Sequence, residues 1–437
     1  MALLTQAPRG TQDILPAEAS KWQKIEDVMR REAHLQGFGE IRTPVFEHTE
    51  LFQRSVGETT DVVQKEMYTF KDKGDRSITL RPEGTAGAVR AMLEHGLYND
   101  GLPLKLYYFT SCYRYEKAQK GRLREFHQFG VEMFGSASPL ADAQVIALAA
   151  SVFQRLGIRD LTLEINSIGC PACRARYTAA LREYFSAYRD ELCETCLSRL
   201  ERNPMRILDC KSPVCAKIAE GAPHVLDFLC EDCAAHFEGV KRSLTEIGIP
   251  FAVNPAIVRG LDYYTRTVFE FVSRATGAPL TVCGGGRYDG LVEEMGGPSM
   301  PALGFGLGLE RALMILDAQK AELAQEEPCK VFIAALGEDA SFAAFRMAHE
   351  LRLSGIKASC DVNGRGLKAQ MKYADKIGAA YSIVLGDNEL ETGEAVLKNM
   401  ETGEKRTVSI GDGFLEQFAA IEAEDDLKRD FPQLIQE

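Results

Sequence analysis

Eight of the twelve cysteines fall in one stretch, between Cys170 and Cys233, and they interrupt a chain whose flanks show strand patterns. They occur as the close pairs CPAC, CETC, CKSPVC and CEDC. In a cytosolic protein such pairs indicate zinc more than disulfides, and unrelated buried thiols are the alternative. The spacing leaves open which pairs would join. The candidate ligands are Cys170, Cys173, Cys193, Cys196, Cys210, Cys215, Cys230 and Cys233.

The cysteine stretch also divides the chain. Residues 1–165 mix strand and helix patterns, residues 166–250 are helical and hold the cysteines, and strand patterns return at 251. If the two strand regions form one sheet, the cysteine segment is an insertion. A charged stretch closed by proline, 317–328, predicts a helix end and a linker. Beyond it, short apolar runs alternate with helical patterns, which predicts a small α/β domain.

The composition is that of an ordinary globular chain. With 437 residues, 45% hydrophobic and 26% charged, it is too long for a single core, so several domains are expected. The net charge of −12 argues against non-specific coating of nucleic acid but leaves room for a local basic patch. The N-terminus has no signal-like apolar run, and no run approaches the roughly eighteen apolar residues of a membrane span. A cytosolic protein is therefore expected.

A long hairpin is predicted over residues 104–135, where two strand-like runs flank the polar loop KAQKGR. Because side chains alternate along a strand, Gln128 and Glu132 share one face with Phe126. That polar face lines a cavity or meets solvent, and the residues alone do not decide between the two. The opposite face offers Phe129, Val131 and Met133 to a core, while Arg114, Lys117, Lys120 and Arg122 lie near or in the loop.

Alternating glycines in LGFGLGLER (303–311) predict a strand with one face free of side chains. Such a face allows the close approach of a flat ligand. Arg311 follows at the start of a helix, where it can reach a phosphate or stack on a ring. The GxGxG spacing differs from the dinucleotide fingerprint, and no P-loop motif occurs. The glycines are Gly304, Gly306 and Gly308.

Two further stretches place unusual residues beside strands. In RGLDYYTRTVFEF (259–271), the second half has the side-chain alternation of a strand. Folding alone gives no reason for Arg259, Tyr263 and Tyr264 just before that strand. The other stretch, TVCGGGRYDGL (281–291), is best interpreted on its residues alone as a glycine-rich turn.

A basic helix face is predicted in the C-terminal region. Lys368, Lys372 and Lys376 recur every four residues, so they lie on one face, and Arg365 precedes them. A solvated face is the usual explanation for such a pattern. In an otherwise acidic chain, contact with nucleic acid phosphates is also plausible.

Taken together, these stretches resemble the histidyl-tRNA synthetases of bacterial type, a family of class II aminoacyl-tRNA synthetases. The resemblance spans essentially the whole chain. The two family-specific histidine motifs correspond to RGLDYYT (259–265) and GGGRYDGL (284–291). The remaining correspondences are 37–58 with class II motif 1, 80–87 with the stretch that grips the α-amino group, 109–135 with motif 2 and 304–311 with motif 3.

The resemblance implies an α+β fold with a six-stranded antiparallel sheet flanked by helices, and a homodimer formed through motif 1. Residues 1–165 and 251–320 would form the class II catalytic core. Residues 166–250 would form a helical, Cys-rich insertion domain, and 328–437 a C-terminal α/β anticodon-binding domain. Eight cysteines exceed what the family pattern requires in that insertion.

The resemblance also implies roles for individual residues, with ATP, Mg²⁺, L-histidine and histidine tRNA as substrates and partners. Arg259 would be the catalytic residue at the α-phosphate. Histidine would be bound by Glu83, Thr85, Arg114, Gln128, Glu132, Arg259, Tyr263 and Tyr264. ATP would be bound by Arg114, Glu116, Arg122, Arg311, Gly304, Gly306 and Gly308. The tRNA would be bound by Gln119, Lys120, Arg365, Lys368, Lys372 and Lys376.

Two other functions remain to be weighed against ligase activity. A non-catalytic relative of the family regulates the first enzyme of histidine biosynthesis, but it lacks the C-terminal domain and has a degraded first histidine motif. This chain keeps both. A thiol or zinc-binding module would explain the cysteines and nothing else.

Overall fold

The computed structural model describes residues 5–430 except 58, 59, 61, 120, 209, 211, 258–260, 322–327 and 412. The predicted site residues Arg259 and Lys120 therefore lie outside the described residues. The chain divides into two compact units, Met1–Ala324 and Gln325–Glu437. Among the described residues, no helix has both the length and the apolarity needed to cross a membrane.

Strands dominate the centre of the first unit. Most belong to one large sheet, and three short ones form a separate small sheet. The strands are β1 (Gly39–Glu40), β2 (Phe46–His48), β3 (Thr69–Lys71), β4 (Ser77–Leu80), β5 (Leu104–Tyr113), β6 (Glu125–Phe134), β7 (Leu161–Ser167), β8 (Ala252–Val253), β9 (Thr265–Ser273), β10 (Leu280–Arg287) and β11 (Ala302–Gly308).

The large sheet has the order β1-β5-β6-β11-β10-β9-β7-β8. From β5 to β7 every neighbouring pair is antiparallel, which supplies the six antiparallel strands that the family resemblance implies. The short edge strands β1 and β8 run parallel to their neighbours and were not predicted. Because β7 and β9 pair directly, the strand regions on either side of the cysteines do form one sheet. The predicted α+β class is confirmed.

Helices cover one face of this sheet and bury its apolar side chains. Phe129, Val131 and Met133 of β6 point into this core, as their alternation predicts, and Trp22 and Ile25 cover them from a helix. The polar residues of the same strand are thereby left for the opposite face. The helices of this unit are α1 (Pro16–Leu35), α2 (Thr49–Val56), α3 (Thr85–Glu94), α4 (Pro139–Arg155), α5 (Pro171–Ser186), α6 (Glu194–Arg202), α7 (Pro213–Ala219), α8 (Glu231–Glu246), α9 (Leu291–Glu294) and α10 (Leu309–Ala318).

Single helical turns complete the first unit. They include a π-helical turn before β3 and several 3₁₀ turns, one of which precedes β5. The other three lie in the cysteine segment. The turns are Val62–Glu66, Leu97–Asp100, Arg189–Glu191, Pro204–Ile207 and Val225–Phe228.

The triple glycine predicted as a turn is instead the middle of β10, so that interpretation is wrong. Gly285 pairs with Phe305 of β11 on one side and with Phe269 of β9 on the other. A Cβ at Gly285 would collide with the backbone of β11, and one at Gly286 with the carbonyl oxygen of Thr267. The glycines are needed because both neighbouring strands approach the β10 backbone closely.

The second unit has a five-stranded sheet in the order β13-β12-β14-β15-β16. Its first three strands and first two helices follow the predicted strand–helix alternation, whereas β15, β16, α13 and α14 were not predicted. The elements are β12 (Val331–Ala335), α11 (Glu338–Leu353), β13 (Ala358–Cys360), α12 (Leu367–Lys376), β14 (Tyr381–Leu385), α13 (Asp387–Thr392), β15 (Glu394–Asn399), β16 (Lys405–Ser409) and α14 (Phe414–Asp430).

Candidate functional site

The polar face of the large sheet forms the floor of a cavity of about 370 Å³. This volume suits a small-molecule site. The predicted glycines Gly304, Gly306 and Gly308 line it together with Gln128 of β6. The alternative that the hairpin's polar face meets open solvent is therefore excluded for Gln128.

The space that the glycines of β11 leave free of side chains is partly filled by side chains of β6. A Cβ at Gly304 would collide with the carboxylate of Glu132, and one at Gly306 would lie 3.2 Å from Nε2 of Gln128. The alternating glycines thus make room first for a buried carboxylate and an amide. The floor that a ligand would meet carries oriented polar groups as well as bare backbone.

Glu132 lies beneath this floor, 1% exposed, and does not itself line the cavity. Its carboxyl accepts a hydrogen bond from the Tyr108 hydroxyl at 2.8 Å and a very short one from the Tyr288 hydroxyl. Burial raises the pKa of Glu132 to about 8, although both hydroxyls act to lower it. The carboxyl can therefore hold a proton near neutral pH.

Tyr108 and Tyr288 were not predicted as site residues, yet both line the cavity and orient Glu132. Tyr108 fits because Gly84 and Gly130 leave space for its ring, where a Cβ at either position would collide with it. A signal was present for Tyr288, which follows Arg287 inside the motif at 284–291. For Tyr108, alternation along β5 could have indicated its face but not its partner.

The wall beside the buried carboxyl holds four of the residues predicted for histidine, whereas Arg114, also predicted for it, lies at the other end of the cavity. Glu83, Thr85, Tyr263 and Tyr264 all line the cavity. The Glu83 carboxylate accepts the backbone N–H of Thr85 at 2.7 Å and of Ala86 at 2.9 Å, at the start of α3. Burial nevertheless raises the pKa of Glu83.

The tyrosine rings form a cluster at this end of the cavity. The ring centroids of Tyr263 and Tyr264 are 4.7 Å apart, and that of Tyr288 is 5.5 Å from Tyr263. Burial raises the pKa of Tyr263 and Tyr288, so both remain protonated donors. This end combines carboxyl acceptors with phenol donors.

The other end of the cavity is cationic. Arg114, Arg122 and Arg311 line it with Glu116. Arg114 donates to the carbonyl of Pro82 at 2.8 Å, and Glu116 lies 3.9 Å from Arg114 and 3.3 Å from Arg122. Two carboxylates, Glu116 and Glu270, accompany three guanidinium groups here, which leaves a small excess of positive charge that suits a polyanion.

Arg311 is fixed by the backbone around it. Its Nε donates to the carbonyl of Gly121 at 3.1 Å and its Nη1 to the carbonyl of Thr281 at 2.6 Å. Burial lowers its pKa, with Arg122 adding to the effect. The predicted position of Arg311 at the start of α10 and beside the glycine strand is confirmed.

The residues predicted for tRNA are spread over both units, and each is described within its own. Gln119 is exposed in the loop between β5 and β6. In the second unit, Lys368, Lys372 and Lys376 are exposed along α12. Arg365 is less free, because it pairs with Asp361 at 2.5 Å and lies over the Tyr373 ring at 4.2 Å.

The structure resolves which cysteine pairs meet. In each group of four, the Sγ atoms lie within 4.8 Å of one another. Such sets of four thiols, alternately half-buried and buried, match the ligand set of structural zinc. Thiol cluster A comprises Cys170, Cys173, Cys230 and Cys233, and thiol cluster B comprises Cys193, Cys196, Cys210 and Cys215.

Hydrogen bonds from the backbone support thiolate character at one cysteine of each cluster, whereas burial raises the pKa of Cys233 in cluster A and of Cys196 in cluster B. Burial raises the pKa of Cys173, but the backbone N–H of Cys230, which donates to its Sγ at 3.0 Å, helps to lower it to about 6. In cluster B, the N–H of Cys196 is the main cause that lowers the pKa of Cys193 to about 7. Thiolates are the form that binds zinc.

Comparison with known proteins identifies relatives over nearly the whole length. A family model described as histidyl-tRNA synthetase matches residues 10–312, and one described as an anticodon binding domain matches residues 330–415. The histidine–tRNA ligase of Acetivibrio thermocellus is 57% identical over 408 residues, 93% of this chain and 98% of the relative. That of Clostridium novyi is 53% identical over 416 residues, 95% of this chain and 99% of the relative.

A solved structure shows the same fold. The apo histidyl-tRNA synthetase of S. aureus has a TM-score of 0.82 and 43% identity, covering 95% of this chain and 100% of that chain.

The raised pKa of Glu132 predicts a pH dependence of stability. The folded protein binds a proton at Glu132 up to about pH 8, whereas the unfolded chain releases it near 4.5. The contribution to stability is therefore complete below the lower value and is lost as the pH rises through the higher one. We expect Glu132→Gln, which cannot ionise, to lose less stability than the wild type between about pH 5 and about pH 9.

Urea unfolding of the ligand-free protein across this range measures the effect. Glu125→Gln is the matched control, because Glu125 lies on the same strand and accepts the Tyr113 hydroxyl at 3.1 Å but is only half-buried. Identical pH profiles for wild type and Glu132→Gln would contradict the assignment of a neutral Glu132.

Proposed function

Because the chain belongs to the histidyl-tRNA synthetase family, we infer that it joins L-histidine to histidine tRNA in two steps that use ATP. This is the activity of an ATP-dependent aminoacyl-tRNA synthetase, a histidine–tRNA ligase. The observation that carries the proposal is one cavity with a carboxyl and phenol end and an arginine end on the same sheet face. Pyrophosphate exchange with ATP that depends on histidine tests it directly.

The carboxyl and phenol end is assigned to histidine. Glu83 would hold the cationic α-amino group, since its carboxylate is fixed by two backbone N–H groups. The imidazole presents one donor and one acceptor nitrogen, which carboxyl and phenol groups can satisfy together. A site built for those hydrogen bonds rejects isosteres that lack them, because its own buried groups would be left unpaired. The further members are Thr85, Gln128, Tyr263 and Tyr264, with Glu132 beneath them.

The arginine end is assigned to ATP. Arg114 would bind the α-phosphate and Arg311 the γ-phosphate, with Glu116 near the adenine and Arg122 beside them. Gly304, Gly306 and Gly308 would let the nucleotide approach the backbone of β11. Mg²⁺ would accompany the β- and γ-phosphates and neutralise part of their charge.

The proposed chemistry needs no covalent enzyme intermediate. A carboxylate oxygen of histidine attacks the α-phosphorus, the bond to the β-phosphate oxygen breaks, and pyrophosphate leaves. In the second step a hydroxyl of the terminal tRNA ribose attacks the histidyl carbonyl, and AMP leaves. The protein contributes positioning and charge stabilisation.

The second unit is proposed to bind the anticodon region of the tRNA. The matching anticodon-binding family and the exposed lysines of α12 support this. Gln119, on the loop next to the cavity, would contact the tRNA separately, at its acceptor end, together with Lys120, the next residue in the sequence. On the same family grounds the protein is proposed to act in the cytoplasm.

Zinc is proposed as a structural metal of the cysteine segment, residues 166–250, one ion in thiol cluster A and one in thiol cluster B. Four thiols converging in each cluster support this assignment. Zinc would contribute bonds that fix the fold of the segment.

Arg259 is proposed as the group that stabilises charge on the α-phosphate during activation. Removing one such donor typically lowers a rate by ~10²–10³. We expect Arg259→Ala to slow histidyl-adenylate formation by about that factor, while histidine affinity and transfer from preformed adenylate change much less.

Single-turnover kinetics on both half-reactions measure this effect of Arg259. Arg274→Ala, an exposed arginine just beyond the end of β9, is the control and should behave as wild type. Normal activation by Arg259→Ala would rule out the assigned role, as would an equal loss in both steps together with histidine binding.

The lysines of α12 generate a prediction about tRNA alone. We expect Lys368→Ala, Lys372→Ala and Lys376→Ala together to weaken tRNA binding and flatten its salt dependence, because fewer counterions are released. Histidine activation should be unchanged. Binding titrations at several salt concentrations measure this, with Lys398→Ala and Lys405→Ala on the sheet of the same unit as control. If activation falls in parallel with binding, the helix acts through folding.

A homodimer through residues 37–58 is proposed from the family resemblance, and an exposed apolar surface supports it. Phe46 on β2 and Phe70 on β3 are 53% and 48% exposed, on either side of β4. We expect a dimer in sedimentation at micromolar concentration and a shift towards monomer in Phe46→Glu. Phe342→Glu, at an exposed phenylalanine of the second unit, should stay dimeric. A wild-type monomer would contradict the proposal.

A further inference from the structure

The segment with the two cavity tyrosines, residues 261–264, is held by arginines of the cysteine segment. Arg206 donates from Nη2 to Oδ1 of Asp262 at 2.8 Å, and Arg174 donates from Nη1 to the carbonyl oxygen of Tyr264 at 3.1 Å. The side chains of Arg206 and Asp262 are 18% and 27% exposed, so their ion pair is better shielded than one at the surface. Both contacts constrain the backbone that carries the tyrosines.

Each of these arginines lies near a thiol cluster along the chain. Arg174 directly follows Cys173 of cluster A, in the first turn of α5. Arg206 lies in the 3₁₀ turn that precedes Cys210 of cluster B, and its carbonyl accepts Nη1 of Arg199 at 3.0 Å. Arg199 is three residues beyond Cys196, one turn along α6. The path from cluster B to Asp262 is therefore short and continuous.

The backbone beside cluster A is also paired with the tyrosine strand. The N–H of Ile168 donates to the carbonyl of Arg266 at 2.8 Å, and the N–H of Arg266 donates to Gly169 at 2.9 Å. Gly169 precedes the first ligand of cluster A, and Arg266 lies two residues beyond Tyr264. The positive φ of Arg266, 49°, is held by these bonds.

The cysteine segment depends on its thiols because its own core is small. Small cores of this kind are usually held by a metal or by disulfides. The thiols of cluster B are themselves part of the core, since Cys196 and Cys215 are fully buried there. The apolar side chains around them are Tyr177, Leu181, Phe185, Leu192, Leu200, Ile207, Ile218 and Val225.

We propose that the metals of clusters A and B position Arg174 and Arg206, and through them residues 261–264, so that the thiol clusters set histidine affinity from outside the cavity. The two arginines are positioning residues and touch no substrate. The inference rests on the proposed histidine site and on zinc binding by the clusters.

The test compares loss of cluster B with loss of the arginine. The variants are Arg206→Ala, Cys196→Ser with Cys215→Ser, and all three changes combined. Arg189→Ala is the matched control, an arginine of the same segment whose contact is an exposed 3.5 Å ion pair with Glu201. Zinc per chain, the KM for histidine and the KM for ATP in pyrophosphate exchange, and histidine binding by calorimetry are measured for each.

We expect zinc to fall by one ion per chain in the cysteine variant and to stay at the wild-type level in Arg206→Ala. Loss of a hydrogen bond between charged groups should raise the KM and Kd for histidine about tenfold in Arg206→Ala, with little change in the KM for ATP. The cysteine variant should match it, and the combined variant should be no worse than the cysteine variant, because both changes break one path. Arg189→Ala should resemble the wild type.

The outcomes separate the proposals. Wild-type protein without zinc would overturn the metal assignment. Zinc lost with histidine affinity unchanged would overturn the positioning inference alone, as would multiplicative effects in the combined variant or an equal rise in both KM values. Absence of histidine-dependent exchange in the wild type would overturn the proposed function instead.

If the cysteine variant fails to fold, two other experiments test the same inference. Asp262→Ala, alone and with Arg206→Ala, tests the ion pair without touching a thiol, and independent effects of the two changes would overturn the inference. Partial removal of zinc from the wild type by a mild chelator, with circular dichroism as a check on the fold, should raise the histidine Kd in proportion to zinc lost. An unchanged Kd would overturn it.

Discussion

The buried carboxyl of Glu132 is the interaction around which the cavity is arranged. It lies beneath the floor of the cavity and accepts hydrogen bonds from the hydroxyls of Tyr108 on β5 and Tyr288 after β10. This geometry requires Gly304 to be bare, because any Cβ there would occupy the carboxylate position. The hydrogen bonds of one buried carboxyl therefore connect strands that are far apart in sequence. Because burial favours the neutral form of this carboxyl, no neighbouring cation is needed to offset the desolvation of a charge.

The two ends of the cavity show why local charge outweighs the total. The chain carries a net charge of −12, yet three arginines converge at one end of the cavity, where Glu116 and Glu270 are acidic neighbours. Glu310 also lines the cavity, but its carboxylate is engaged by the ring and backbone N–H of His127. Acids elsewhere are screened by solvent over distances of about 10 Å and do not cancel this local field. A polyanion is thus favoured at one end only, which orients a ligand with opposite charges along the cavity.

Much of this arrangement could be predicted from the sequence, because strand alternation assigns faces. Gln128 was correctly placed opposite Val131, and the glycines of β11 were correctly placed on a strand beside Arg311. What could not be predicted depends on pairing between strands distant in sequence. The glycines of β10 were interpreted as a turn because the feature that requires them, the close approach of the β9 and β11 backbones, is not visible in the local sequence. For Tyr108, alternation gives only the face, since its hydrogen-bond partner Glu132 is carried by another strand. Which cysteine pairs meet in a cluster depends on how helices α5 to α8 pack, and the spacing of the cysteines in the sequence does not determine that packing.

Chain topology explains why the cysteine segment can influence the histidine end of the cavity. The segment leaves the sheet after β7, and the chain returns through β8, which pairs with β7 at the sheet edge. It then runs into residues 261–264 and β9, the other neighbour of β7. The segment therefore begins and ends beside β7, which is the neighbour of the strand that the tyrosines precede. None of the segment's described residues lines the cavity. Because Arg174 and Arg206 need only reach across this edge, the segment can nevertheless hold the backbone of residues that do line it.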